Sequence, residues 1–560
     1  MRRFATLLTV MAALAASPLH AQENMAGMHH AFPRTIGEWA NGARIFDGMG
    51  SFHRPAGTNS AEAQAYFDQG MRFLWAFNHD EAARSFARAT VADPACAMCF
   101  WGVALSLGPN YNMMTMADIR AQVGWQALEQ ARSLAPRAPN VDRALIEALA
   151  RRFDGTKGIG PANGPPLLRA YADAMRTVAN AYPDDIDVQV MFAEALMNLN
   201  PWKLWDNDGR PAPGTAEIVS TLERALARNP EHPGANHYYI HAIEASNAPD
   251  KGITAAERVG AMMPAAGHLV HMPSHIMQRV GRYEASAEAN RRAAQSDEAY
   301  YKQTAAIDYY PMYSAHNLQF LAAAASMEGR EAETMAALHK VRTVMSDDMV
   351  AGMAGSDWIL GFSYDAMIRF GRWEAMIAEP MPDPRLKGLM IAYLADRAQA
   401  FAALGRLAEA RTELTAAEKA TAAMPADATA AMNAGKPLYE IALLRARARI
   451  AQAEGNRTAE IALLTEAVGK EDSLSYDEPS DEFFPTRHLL GAALLAAGQT
   501  AQAETVYRED LKRNPANGWA LQGLALALEQ QGKGAEAART RADFEAAWRR
   551  ADRAIASSAF

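Results

Sequence analysis

The stretch from Asn236 to Phe320 holds His237, His241, His268, His271, His275 and His316, six of the chain's 14 histidines. An even spread over 560 residues would place about two there. Four of the six form two His-x-x-x-His pairs, in NHYYIH (His237, His241) and HMPSH (His271, His275). Residues four apart on a helix share a face, with Cβ atoms about 5–6 Å apart. Each pair is therefore spaced to hold one metal ion through bonds of about 2.0–2.1 Å. Crowded imidazoles repel once protonated, and a shared metal resolves that conflict by holding them neutral. The expected cofactor is a transition metal, Cu or Zn, with Fe as a third option. Imidazoles with Glu244 suit zinc. Imidazoles beside Met262, Met263, Met272, Met277 and Met312 suit copper, although methionines are more often core filler. Two His with Glu244 or Asp308 suit iron. The bland alternative is a polar recognition groove whose histidines only hydrogen-bond.

Other residues invite the same question. Cys96 and Cys99, in DPACAMCFW, are the only cysteines. Their spacing fits a local disulfide, inert thiols, or metal and redox work. Phe100 stands where covalent haem attachment would need His. MAGMHH (Met25, Met28, His29, His30) offers copper-type ligands on a segment that otherwise reads as a solvated tail. Tyr238, Tyr239, Tyr309, Tyr310 and Tyr313 flank the histidines as core aromatics or reactive phenols. His79 is expected to bond a backbone carbonyl. The acidic run SYDEPSDEFFPTR (Asp477, Glu478, Asp481, Glu482) reads as a solvated loop, with contact to a basic partner or a hard cation as the alternative. The chain contains no His-Glu-x-x-His, Gly-x-Ser-x-Gly, phosphate-loop or dinucleotide motif.

These residues must be positioned by a helical framework. Alanine is abundant, β-branched runs are scarce, and Gly and Pro punctuate at intervals. Arg2 and Arg3 followed by the apolar run Phe4–Ala16 read as an export signal cleaved after Ala21, which predicts a periplasmic or secreted protein. No later stretch is apolar enough to span a bilayer. A net charge of -9 with scattered basic residues argues against nucleic acid. About 540 mature residues exceed one ordinary core, so several domains or a repeat array are expected.

A repeat is visible. Gly70, Ala82, Phe86, Ala89 and Pro94 recur in spirit as Gly491, Ala503, Tyr507, Leu511 and Pro515, and further units begin near Gly281, Gly329, Gly371, Gly405 and Gly455. This resembles the tetratricopeptide pattern, helix pairs of about 34 residues with small residues where the helices touch. The resemblance implies an all-α fold: a right-handed superhelical α-solenoid of antiparallel helix pairs. It also implies that the first helix of each pair lines a concave groove. Inserts such as GTKGIGPANGPP and NPWKLWDNDGRPAPG read as loops on one face. The organisation expected is residues 1–21 signal, 22–60 irregular, 61–345 a repeat block with the histidines, 346–551 a second repeat block, and 552–560 a tail.

In that register His237, His241 and Glu244 of one unit, His271 and His275 of the next, and His316 of a third all point into the groove. Pro273 sets a short helix with His271 at its start, and His268 falls before it as a loop ligand or cap. His488 takes an equivalent position, beside Arg487, but far along the array. Two functions compete. One is a scaffold that takes a protein or peptide in the groove. The other is an envelope metalloprotein with Glu244 as candidate base.

Overall fold

The computed structural model describes residues 32–304 and 310–560. The expected signal, the MAGMHH segment, Asp308 and Tyr309 lie outside them. The fold is all-α, a tetratricopeptide-type solenoid of helix pairs, with only two two-residue strands among the described residues, Thr429–Ala430 and Asn433–Ala434. The helices that matter below are α1 (Ala61–Trp75), α2 (His79–Ala92), α3 (Pro233–Ile243), α4 (Gly267–His271), α5 (Pro273–Arg279), α6 (Tyr283–Tyr301), α7 (Tyr310–Met327), α8 (Arg457–Glu471), α9 (Thr486–Ala496) and α10 (Thr500–Arg513).

Local chemistry fixes the helix ends. The Ser60 side chain accepts from the Ala63 N–H to start α1, and Asn78 accepts from Glu81 to start α2. Between paired helices the chain reverses through a left-handed residue; Gly281 (φ 74°) does this between α5 and α6. The pairs pack by the small-residue rule. A Cβ on Gly70 or Gly102 would collide with the Phe86 ring, and one on Gly491 or Gly523 with the Tyr507 ring. At both ends of the array, therefore, one aromatic side chain fills the notch left by two glycines on neighbouring helices. The three larger apolar cores among the described residues follow one another along the chain. The first runs from Trp39 to Tyr313, the second from Tyr283 to Phe484, and the third from Ala448 to Ala537.

Three segments depart from the sequence expectation. His268 lies inside α4, one turn before Pro273, and not in a preceding loop. The chain stays helical through Met272 (φ -51°, ψ -31°), so α4 and α5 form a nearly continuous rod. The insert around Trp202 folds back over the histidines, with Trp205 Nε1 donating to the Ala242 carbonyl at 2.8 Å. The acidic run between α8 and α9 is not solvated. Glu478, Asp481 and Glu482 are buried, and Asn207 of the insert donates to the carbonyls of Asp472 and Leu474 at its root. Residues 472–485 thus form a strap across the central histidines, and the side chains there are enclosed, not displayed on an open groove.

Candidate metal centre

Four of the six histidines are aimed by a partner on the outer nitrogen. His237 Nδ1 donates to the Trp75 carbonyl at 2.6 Å, at the last residue of α1 and 162 residues away in sequence. His241 Nδ1 donates to one Glu244 oxygen at 2.8 Å, and His275 Nδ1 to the other at 2.5 Å. His271 Nδ1 donates to Asn290 Oδ1 at 2.7 Å, and the Asn290 amide is itself oriented by a bond from Nδ2 to the Ser286 carbonyl at 2.8 Å. These bonds place the proton of all four rings on Nδ1 and leave Nε2 as a bare lone pair. Metal-ligating imidazoles are oriented by the same kind of outer bond.

The bare nitrogens converge. His237, His241 and His268 bring one nitrogen each within 4.8 Å of one another, and His271, His275 and His316 do the same. Ring centroids within the two triads are 4.7–6.4 Å apart. Imidazoles sharing one tetrahedral ion at bonds of about 2.0–2.1 Å would have centroids roughly 5 Å apart, a spacing that His241–His268, at 6.4 Å, exceeds. His271 Nε2 and His275 Nε2 lie 2.8 Å from each other, a separation that needs a shared proton or a shared ion between the two nitrogens. A third grouping, His241–Glu244–His275, draws on a carboxylate that already holds both rings.

Burial disfavours the charged form of five of the six rings, His237, His241, His268, His271 and His316. Burial pushes the His237, His268 and His271 imidazoles far below their usual range, and neighbouring histidines push the same way. Burial, then His275, lowers His316 to about 3. Burial works against the Glu244 carboxylate, but His275 and His241 outweigh it and hold its pKa at about 2. Neutral imidazoles and an ionised carboxylate are the forms a metal requires. His237 Nε2, His241 Nε2 and both nitrogens of His268 are buried without any hydrogen-bond partner among the described residues.

A cavity of about 240 Å³ opens beside both triads, touching His241, His268, His275 and His316. Phe77 closes the far side. Its ring lies 4.3 Å from His237, 5.7 Å from His241 and 5.4 Å from His268. Phe77 holds φ at 58°, a left-handed backbone costing about 1–2 kcal/mol for a non-glycine residue, at the turn that delivers it.

All six sequence candidates therefore meet in one place. His268 belongs to the first triad outright. Glu244 sits differently from the expectation of a general base: both of its oxygens are taken by imidazoles, and it does not border the cavity. It is a positioning residue. Of the five methionines named from sequence only Met312 borders the cavity, joined by Met113, Met345 and Met432. Tyr313 stands 4.6 Å from the His268 ring. Cys96 and Cys99 are disulfide-bonded, which removes them as thiolate ligands. His79 Nδ1 bonds the Phe77 carbonyl at 3.1 Å, and His488 lies apart in α9. Sequence reading missed Asn290, the Trp75 carbonyl, Phe77, Trp202 and Glu478. Only Glu478 had a visible signal, an acidic run flanked by aromatic residues and proline.

No family model matches the chain, and no curated protein matches it in sequence. Among solved structures it is similar to a human IFIT1 dimer with PPP-AAAA, at 11% identity and TM-score 0.32, over 94% of this chain and 98% of that one. It is also similar to the APC/C hetero-tetramer Cut9-Hcn1, at 12% identity and TM-score 0.30, over 90% and 77%. No helix among the described residues is long and apolar enough to cross a membrane.

Proposed function

We propose that this solenoid is a metalloprotein whose two histidine triads each bind one transition-metal ion beside a small-molecule cavity. The observation that carries the reading is the surplus of inward lone pairs. Four rings are locked with their protons outward, and a fifth, His268, has no partner on either nitrogen. A buried polar atom without a partner costs about 1–3 kcal/mol, so several together need a ligand that accepts electron pairs. All-nitrogen triads suit zinc, copper or iron. Catalytic sites keep an open coordination position, and the cavity on the triads' inner side favours chemistry on a small ligand over storage of an enclosed ion. There a bound ion would serve as a Lewis acid for whatever occupies the cavity. This chain's residues supply orientation through Glu244, Asn290 and Trp75, and exclusion of water through Phe77 and the strap. Export to the periplasm belongs to the same proposal, on the strength of Arg2, Arg3 and Phe4–Ala16, and predicts a mature protein that begins at Gln22.

The test is elemental analysis of the purified chain, before chelation and after reloading with Zn or Cu. About two equivalents are expected, one lost in His237→Ala/His268→Ala and the other in His271→Ala/His316→Ala. A chain that binds no metal above background, with unchanged thermal stability on addition of either ion, removes the metal reading and leaves a helical scaffold.

A further inference from the structure

The cavity beside the triads has a carboxyl wall. Asp477, Glu478 and Asp481 border it, and no lysine or arginine among the described residues does. An acidic wall alone is not a site, but a polar atom here also lacks a partner. Glu478 is 6% exposed; its Oε1 accepts from the Tyr476 hydroxyl, while its Oε2 is buried with no hydrogen-bond donor and 3.8 Å from His275 Nδ1. Trp202, Tyr313 and Phe362 contribute aromatic surface.

These features select a ligand. Burial, then the Glu244 charge, pushes the Glu478 carboxyl well above its usual range; an arriving ammonium supplies the donors that Oε2 lacks and favours the ionised carboxylate, and charged hydrogen bonds are the stronger kind. Aromatic faces add cation–π attraction, about 2 kcal/mol or more when desolvated. The volume sets the size. A cavity of roughly 150 Å³ admits benzene, so about 240 Å³ takes a ring with a short side chain. We propose that the cavity binds a small primary amine with an aromatic or similarly apolar body, its ammonium held by Glu478. The strap that looked like a solvated loop is then the specificity element of the centre, delivered from the C-terminal half of the chain. The proposal rests on the cavity being the mouth of the metal centre, yet amine selectivity can be measured with or without metal.

The experiment is calorimetric titration of the full chain, chelated and zinc-loaded, with 2-phenylethylamine, 2-phenylethanol and 3-phenylpropionate. The amine should bind about tenfold or more tightly than the alcohol, with the acid weakest. Glu478→Gln should bring amine and alcohol within about twofold of each other. Met312→Trp, which fills the cavity from its exposed rim, should abolish amine binding, and it carries the decision if Glu478→Gln fails to fold. The proposal is overturned if wild-type protein binds none of the probes or does not prefer the amine, if the preference survives Glu478→Gln, or if amine binding survives Met312→Trp. Metal content is read separately. A metal-free chain that still selects the amine sinks the metal reading alone, and a zinc-loaded chain with no preference sinks this one alone.

Discussion

His268 and His488 are buried to the same degree, 2% and 1% exposed, and both sit in helices of the repeat array. His488 is fully employed. Its Nε2 donates to Asp510 at 3.0 Å, and its Nδ1 accepts from Arg369 at 3.4 Å. Asp510 is in turn held by Asn514 and Asn517. His268 has neither nitrogen employed and faces other imidazoles. The contrast teaches that burial and residue type do not mark a functional histidine in a helical array. Surplus hydrogen-bonding capacity does. The C-terminal histidine has both nitrogens satisfied, by Asp510 on the next helix and by Arg369 119 residues earlier, whereas the central ones gather from α3, α4, α5 and α7 and leave several nitrogens open.

That contrast can be broken by exchanging the roles. His488→Ala removes one of three donors from the buried Asp510 carboxylate and should destabilise the protein by about 1–3 kcal/mol in denaturant melts, with metal content unchanged. His268→Ala deletes a side chain that satisfies nothing in the metal-free protein, so it should cost far less than His488→Ala there. A larger loss for His268→Ala would mean that its ring has a structural role of its own. The metal itself gives the second effect. At a free concentration about 100 times Kd, Zn or Cu should add about 2.7 kcal/mol per site to wild-type stability. His488→Ala should keep that increment. His268→Ala/His316→Ala should lose it, and an increment that persists there would place the metal elsewhere.

The helical framework was legible because the repeat is local: Gly70 with Phe86 and Gly491 with Tyr507 recur at fixed spacing, and spacing within one helix pair dictates packing. The convergence of His237, His241, His271, His275 and His316 was legible for the same reason, since register alone assigns them to one side of successive pairs. What was not legible depends on chain returning from afar. The strap carrying Glu478 meets His275 across about 200 residues of sequence. The Trp75 carbonyl has no side-chain signature, and Asn290 is one asparagine among many. Glu244 was rightly placed beside the histidines, but its chemistry depends on two partners that only the fold supplies.

A third effect sharpens the comparison through pH. His79 borders Phe77 but not the triads. Burial lowers its pKa to about 3, against the Phe77 carbonyl bond that raises it, with Arg120 and Arg152 also lowering it. The folded value lies below the unfolded value of about 6.5, so the folded state binds fewer protons. Its contribution is fully present above about pH 6.5 and is lost as pH falls from there toward 3. At pH 5 the loss is about 2 kcal/mol. His79→Gln should therefore lose about that much less stability than wild type between pH 7.5 and 5. Parallel curves for the two proteins would mean that His79 is already charged in the folded state.

The smallest effect isolates one tautomer. Asn290 Oδ1 holds the His271 proton on Nδ1, which turns a lone pair toward His275. Asn290→Ala removes that acceptor and frees the ring to place its proton on Nε2, with Nδ1 then accepting from the Ser274 hydroxyl 3.1 Å away. The new Nε2–H would point at His275 and turn a lone-pair conflict into a hydrogen bond. Metal-free protein should thus be nearly indifferent to the substitution, while affinity at the second triad falls about tenfold and the first triad keeps its own. Loss of affinity at both triads would show that they form one coupled centre, and loss at neither would show that Asn290 does not set the tautomer.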